Sequence, residues 1–357
     1  MTSDSSNTSQ IKKIFGYTLP LVLMVVLLYF SFRNTNFDEV ISILKNMSIK
    51  WYLIFLAVWF FSHWLRAVRW KVIISSVKED TSTLNLFGAT MVGYGVNCVV
   101  PRLGEIYRGL FVGKWEDISR SSMIGTIVLE RVIDILVLGF SVLISVAIYS
   151  GNLYTEITWL RSTVYLGFAG IFGVMVVLLL LIKFKERFYN AITNFVGKFS
   201  TKLAEVLARA FHLLLDGLTS IKSAKNYFYI VVLSIVIMLV YALTSYIAFF
   251  ILGMENIHDV DFAMAWIVMS IGAFGVVIPT PGATGSYHLI VIFVLMSLFN
   301  FDQDVSSAYA LVTHTTSVVL FILSTIFFTY VINKRQEAQN KPSANFLTVF
   351  KQRASSV

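Results

Sequence analysis

The sequence predicts an all-α, polytopic integral membrane protein. It reads as a helical bundle of about six full spans plus two broken or re-entrant helical hairpins, with an amphipathic cytoplasmic segment. Hydrophobic residues make up 57% of the 357 positions and charged residues only 13%, against about 25% charged in soluble domains. The charges are also bunched, leaving apolar runs near the roughly 20 residues that cross a ~30 Å hydrocarbon core. Two of these runs are interrupted by Pro and Gly, in VVPRLGEIYR (99–108) and IPTPGATGS (278–286).

Taken in order, residues 1–13 are Ser/Thr-rich and read as a disordered cytoplasmic N-terminus. Lys12 and Lys13 precede an apolar run, Ile14 to Phe32, too long for a cleaved signal core and read as an uncleaved first span. The second span begins at Trp51 and continues into SHWLRAVRWKVII, where Arg66, Arg69 and Lys71 beside Trp64 and Trp70 read as an interfacial anchor. An apolar run over 84–100 leads to the first break, and Ser121 to Tyr149 reads as a long helix. A clean span follows at 163–182, and the segment 183–226 shows apolar residues at helical spacing between charges, as expected of helices lying on a membrane surface. Further spans are read at 227–252 and 308–332, with 262–277 and 287–299 flanking the second break. The tail 333–357 is polar and basic. No stretch of ~100 residues lacks a membrane-length apolar run, so 14–332 reads as a single membrane domain.

The net charge of +8 is explained by basic cytoplasmic loops facing anionic lipid rather than by nucleic acid. Both termini are placed in the cytoplasm and both breaks return to their own side. The cytoplasmic segments then hold 23 of the 28 Lys and Arg residues, and the outer segments hold four: Arg33, Lys45, Lys50 and Arg161. That split predicts this orientation, with both termini on the cytoplasmic side. If 84–100 crossed fully, Arg102, Arg108, Lys114 and Arg120 would move outside, so 84–120 reads as a hairpin from the cytoplasm. Charge leaves open whether 262–300 is re-entrant or two thin spans. Cys98 is the only cysteine, which excludes an intrachain disulfide and a cysteine metal cluster. His63, His212, His258 and His314 have no metal-ligand spacing, and no cofactor site, nucleotide loop or catalytic triad is found.

The breaks carry the chemistry. Pro101 lacks a backbone donor and Gly104 lets the chain turn. Arg102 and Arg108 can hold a phosphate through planar bidentate forks, and Glu105, at i+3 and i−3 from them, can pair with either. Asn97 is a further polar contact within the hairpin. Glu130, Arg131 and Asp134 lie ~15–20 Å along the helix that starts near Ser121, around the bilayer midplane. Ions at that depth must be paired or hydrated, as a passage wall or as a structural lock between helices. Pro279, Pro281, Gly282 and Gly285 free backbone amides that can face an anion or the tip of the opposite hairpin, or simply make an extracellular turn. His288 lies just beyond, as a titratable group or a hydrogen-bonded helix residue.

LRAVRW (65–70), N-x3-P-R-x-G-E-x-x-R (97–108), ERVID (130–134) and P-x-P-G-x-x-G (279–285), in this order, resemble the flippase-like membrane family related to the lysylphosphatidylglycerol synthase transmembrane region, of the UPF0104 type. The resemblance implies a polytopic plasma-membrane protein associated with lipid translocation. Ala283 stands where a second glycine is usual in that family, and His288 where a glutamate is usual. The expectation is therefore a lipid flippase or transporter for an anionic or aminoacylated phospholipid, or for a lipid-linked intermediate. In it Arg66, Arg69, Arg102 and Arg108 receive the phosphate. The alternatives are a membrane enzyme, with Glu130 or Asp134 as acid/base, or a non-catalytic accessory subunit partnering a lipid- or glycan-synthesising enzyme.

Overall fold

The computed structural model describes residues 4–149, 223–347, 349 and 350, with isolated positions between 169 and 204. Apart from those positions, the expected span at 163–182 and the amphipathic segment up to 222 lie outside the described residues. Among the described residues the chain forms ten α-helices and no strand. These are α1 (Asp4–Phe32), α2 (Phe37–Lys45), α3 (Ile49–Ile74), α4 (Thr83–Val99), α5 (Gly104–Trp115), α6 (Arg120–Ile148), α7 (Ala224–Ile251), α8 (Phe262–Val277), α9 (Ser286–Phe299) and α10 (Gln303–Ala338). Five helical segments are long and apolar enough to cross a membrane, or six if α1 and α2, bent by 84° at their junction, count as one span. The chain is a multi-pass helical membrane protein.

Local chemistry sets the ends. Asn36 accepts the Asp38 N–H at 3.1 Å and starts α2, with Asp38 and Glu39 in its first turn and Lys45 in its last. In the sequence this stretch reads as part of an outer loop, and its capping residues fold 37–45 of it into a helix. Ser119 caps α6 through the Ser122 N–H (3.2 Å), and Asp261 caps α8 through the Met264 N–H (2.7 Å). α1 begins at Asp4, within the stretch read as disordered, where no Pro or Gly interrupts helix propagation. α3 continues unbroken through LRAVRW for 26 residues, about 39 Å.

The chain divides into two compact units. The first holds 1–62, 91–107 and 239–328, and the second holds 63–90, 108–238 and 329–357. In the first, α8 and α9 form a close hairpin. A Cβ at Gly275 would stand 2.6 Å from the Tyr287 Cα, and one at Gly272 would stand 2.9 Å from a Val291 methyl. Lipid supplies no hydrophobic drive between helices, so such small residues let backbones approach and gain dispersion contacts. Polar ties support the rest: Tyr52 OH to Thr316 Oγ1 (3.1 Å), Trp59 Nε1–H to Ser317 Oγ (3.1 Å) and Thr325 Oγ1–H to Met91 O (2.8 Å). In the second unit, Glu116 gathers the α3–α4 connection onto the end of α5. It accepts from Asn85 Nδ2 (2.6 Å) and the Ser82 N–H (3.1 Å), while Lys78 donates to its carbonyl (2.6 Å).

The close approach at Gly275 makes a sharp expectation. Gly275→Leu forces backbone apart and destabilises by about 1–3 kcal/mol, while Phe274→Leu, at the exposed neighbouring position, stays within about 0.5 kcal/mol. Thermal unfolding in detergent, followed by size exclusion, compares the two. Equal midpoints would show that the hairpin does not depend on this contact.

Candidate functional site

The structure sorts the residues picked out from sequence into two constellations, one in each unit. In the first unit the two breaks meet. Asn97, in the last turn of α4, accepts the Gly104 N–H at 2.8 Å and so caps α5; its Nδ2 donates to Glu105 Oε2 at 3.4 Å. Pro101 begins the turn, and Arg102 takes a left-handed φ of 64°. A Cβ at Gly104 would overlap the Gly93 carbonyl, so only glycine lets α5 start this close to α4. Arg102 donates through Nη2 to the Val277 carbonyl at 3.0 Å, at the C-terminus of α8, where cations are favoured.

In the second break Pro279 leads to a short 3₁₀ turn, Pro281–Ala283, followed by Thr284 and Gly285. Gly282, Ala283 and Gly285 have φ of 58°, 60° and 85°. The left-handed Ala283, where glycine carries no steric penalty, is a strained position. The amides of Ala283 and Thr284 bond within the turn, and the Gly285 N–H donates to His288 Nδ1 at 3.2 Å. His288 sits at the third position of α9 and reaches back to the capping residue, as Glu or Gln does in a capping box. His314 on α10 donates Nε2–H to the Gly282 carbonyl (2.8 Å); because a carbonyl only accepts, the proton is on that nitrogen. A Cβ at Gly282 would lie 3.3 Å from the Cys98 Cα, so the second break rests on the end of α4. Of the readings open at the sequence level, the geometry of this break is that of a contact with the opposite hairpin.

The second constellation is an ion cluster built by four helices. α3 supplies Arg66 and Arg69, three residues apart and on one face; α5 supplies Arg108; α6 supplies Glu130, Arg131 and Asp134; α7 supplies Ser234. Arg66 Nη2 donates to Glu130 Oε1 (3.0 Å) and Asp134 Oδ2 (2.8 Å). Arg69 bonds Asp134 Oδ1, Glu130 Oε1 (3.4 Å) and Ser234 Oγ (3.0 Å). Arg108 Nη2 lies 2.7 Å from Glu130 Oε2, an ion pair by distance that lacks hydrogen-bond alignment. Its guanidinium carbon stands 3.6 Å from the centre of the Trp70 ring, a cation–π contact. Arg66, Arg69, Arg108 and Glu130 are all buried, while the Arg131 side chain, 3.6 Å from Asp134, is 39% exposed.

Arg66, Arg69 and Trp70 are therefore not an interfacial anchor. The helix carries them inward, and each finds a partner there. Trp70 Nε1–H donates to Thr126 Oγ1 at 3.2 Å. Among the described residues, three buried guanidinium groups face two carboxylates, and Arg131 adds a fourth cation at the edge. The Nε–H groups of Arg69 and Arg108 are buried with no hydrogen-bond partner among those residues. Counted over these side chains, the cluster carries a net positive charge. Sequence reasoning missed Ser234 and His314, which only tertiary contact selects, and the role of Trp70, whose signal was its place inside LRAVRW. No group of three or more His, Cys, Asp or Glu among the described residues is placed to hold a metal ion.

A family model described as the lysylphosphatidylglycerol synthase TM region matches residues 17–324. A UPF0104 membrane protein of Methanocaldococcus jannaschii is 23% identical over 195 residues, 53% of this chain and 56% of the relative, so the match spans about half of each. No solved structure matches.

Glu130 and Arg131 separate buried from exposed charge. Glu130→Gln leaves buried arginines uncompensated and destabilises by about 3–5 kcal/mol. Arg131→Gln removes an exposed partner and changes stability by no more than about 1 kcal/mol. Thermal midpoints of the two variants in one detergent give the comparison, and equal shifts would contradict the burial assigned to Glu130.

Proposed function

We propose a lipid-moving role for this chain, which belongs to the lysylphosphatidylglycerol synthase TM region family. It acts as a flippase or transporter that passes an anionic or aminoacylated phospholipid, or a lipid-linked intermediate, between leaflets. The observation that carries this reading is the excess of buried positive charge around Arg66, Arg69 and Arg108. An isolated buried charge in a bilayer is expensive, and a phosphate diester supplies the missing negative charge. It also offers acceptor oxygens to the buried Nε–H groups of Arg69 and Arg108. Glu130 lies ten residues into α6, about 15 Å along it, so a head group held here rests part-way across. Glu130 and Asp134 keep the arginines paired when no head group is bound, and exchange of those pairs for phosphate oxygens makes binding reversible.

Arg102 is exposed next to exposed Val99 and Val277, where a cation beside apolar side chains offers a lipid its first contact. Both termini face the cytoplasm of a plasma membrane in this reading, in keeping with the 23-to-4 distribution of basic residues.

Reconstitution tests it. Liposomes carrying the protein and a fluorescent anionic phospholipid should exchange that lipid between leaflets faster than protein-free liposomes do. Arg69→Lys and Arg108→Lys keep the charge but lose the planar fork, and should slow exchange about tenfold, the equivalent of one bidentate contact of ~1.4 kcal/mol. Wild-type rates in both folded variants would remove the cluster from the pathway, and no acceleration by the wild type would remove the function.

A further inference from the structure

The described residues beyond α10 fold back onto the protein. α10 ends at Ala338, Asn340 takes a left-handed φ of 54°, and Pro342 follows, so the helix cannot continue. The chain then turns back. Asn333 Oδ1 accepts the Ala344 N–H at 2.8 Å, and Asn333 Nδ2 donates to the Ala344 carbonyl at 2.6 Å. The same Asn333 Oδ1 accepts the Trp115 indole N–H at 2.9 Å, and Gln336 Nε2 donates to the Trp115 carbonyl at 3.1 Å. At the far end Arg120 donates to the carbonyls of Val349 (3.0 Å) and Phe350 (3.2 Å), and the Phe346 ring packs 5.1 Å from that of Phe111. Ala344 and Val349 are buried.

Both tie points sit where an apolar helical stretch meets charge in the sequence. Asn333 follows Ile332, where the apolar stretch of α10 ends, and precedes Lys334 and Arg335. Arg120 is the first residue of α6, whose membrane-length stretch begins at Ser122. A segment bonded to both lies at the height of the interface. Its exposed residues nonetheless include apolar ones, Leu347 being 86% and Phe350 48% exposed, along with Lys341 and Asn345, and Lys334 and Arg335 are exposed near the end of α10. Fixed apolar side chains flanked by cations, on a backbone tied down by hydrogen bonds, fit a lipid surface with anionic head groups.

We propose that residues 341–347, with 349 and 350, form an interfacial strap that seats Leu347 and Phe350 at the head-group–acyl boundary of a bilayer containing anionic lipid. The protein has one cysteine, so Leu347→Cys on a Cys98→Ser background gives a single labelling site for an environment-sensitive fluorophore. The full chain is reconstituted in vesicles of phosphatidylcholine, alone or mixed with phosphatidylglycerol. The expected result is a blue-shifted emission, quenched mostly by lipid-borne nitroxide and little by aqueous iodide, with stronger lipid quenching in the mixed vesicles. Quenching by iodide would place the strap in water and overturn the proposal. Shielding from both quenchers would place it against protein, such as a second copy, and overturn it equally. If Leu347→Cys does not fold, Phe350→Cys carries the same measurement.

Discussion

Guanidinium groups buried among the helices impose the constraint on which the second unit depends. Outside water each must meet an anion or an aromatic face, because unpaired charge in hydrocarbon is far more costly than any single packing contact. Arg66 and Arg69 lie three residues apart on α3, and Glu130 and Asp134 four apart on α6, so each pair shares a helix face. That spacing fixes the rotation of both helices at once. Arg108 then fixes α5 through Glu130 and Trp70, and Ser234 draws in α7 through Arg69. A slide of one residue along any of these helices would turn at least one ion away from its partner.

A different device holds the first unit, where irregular backbone replaces charge as the problem. Chain breaks inside an apolar region expose amides and carbonyls that lipid cannot satisfy. Side chains close these gaps. Asn97 caps α5, His288 takes the Gly285 amide, His314 the Gly282 carbonyl, and Ser286 donates to the Gly275 carbonyl at 2.6 Å. Arg102 neutralises the carbonyl end of α8. His288 preserves a helix cap without the negative charge a glutamate would carry there.

Much of this was legible from the chain. Composition and run length disclose the spans, and Pro and Gly inside apolar stretches disclose both breaks, because these residues act through the local backbone. What failed to show depended on distance. LRAVRW reads locally as an interfacial anchor, since aromatic residues beside arginine usually are; only partners 61–68 residues away, on α6, reveal that it is buried. α2 was hidden inside a short outer loop although Asn36, Asp38, Glu39 and Lys45 spell its start and stop. Nothing local marks Ala344 or Val349 as buried, because their burial comes from Asn333 and Arg120.

The cluster also bears on whether these ions form a lock or a site. A lock between helices needs matched charge, and Arg66 and Arg69 already match Glu130 and Asp134 with short contacts to both. Arg108, 2.7 Å from Glu130 Oε2, is a third guanidinium against those two carboxylates. It comes from α5, the far arm of the first hairpin, and it leans on Trp70 with its Nε–H left unbonded among the described residues. A purely structural cluster would gain from replacing such a residue with an apolar side chain of similar volume, since buried ion groups seldom outperform good packing. In the function proposed above, the third guanidinium answers to an anion that comes and goes, and Arg108 is the residue whose chemistry separates the two cases.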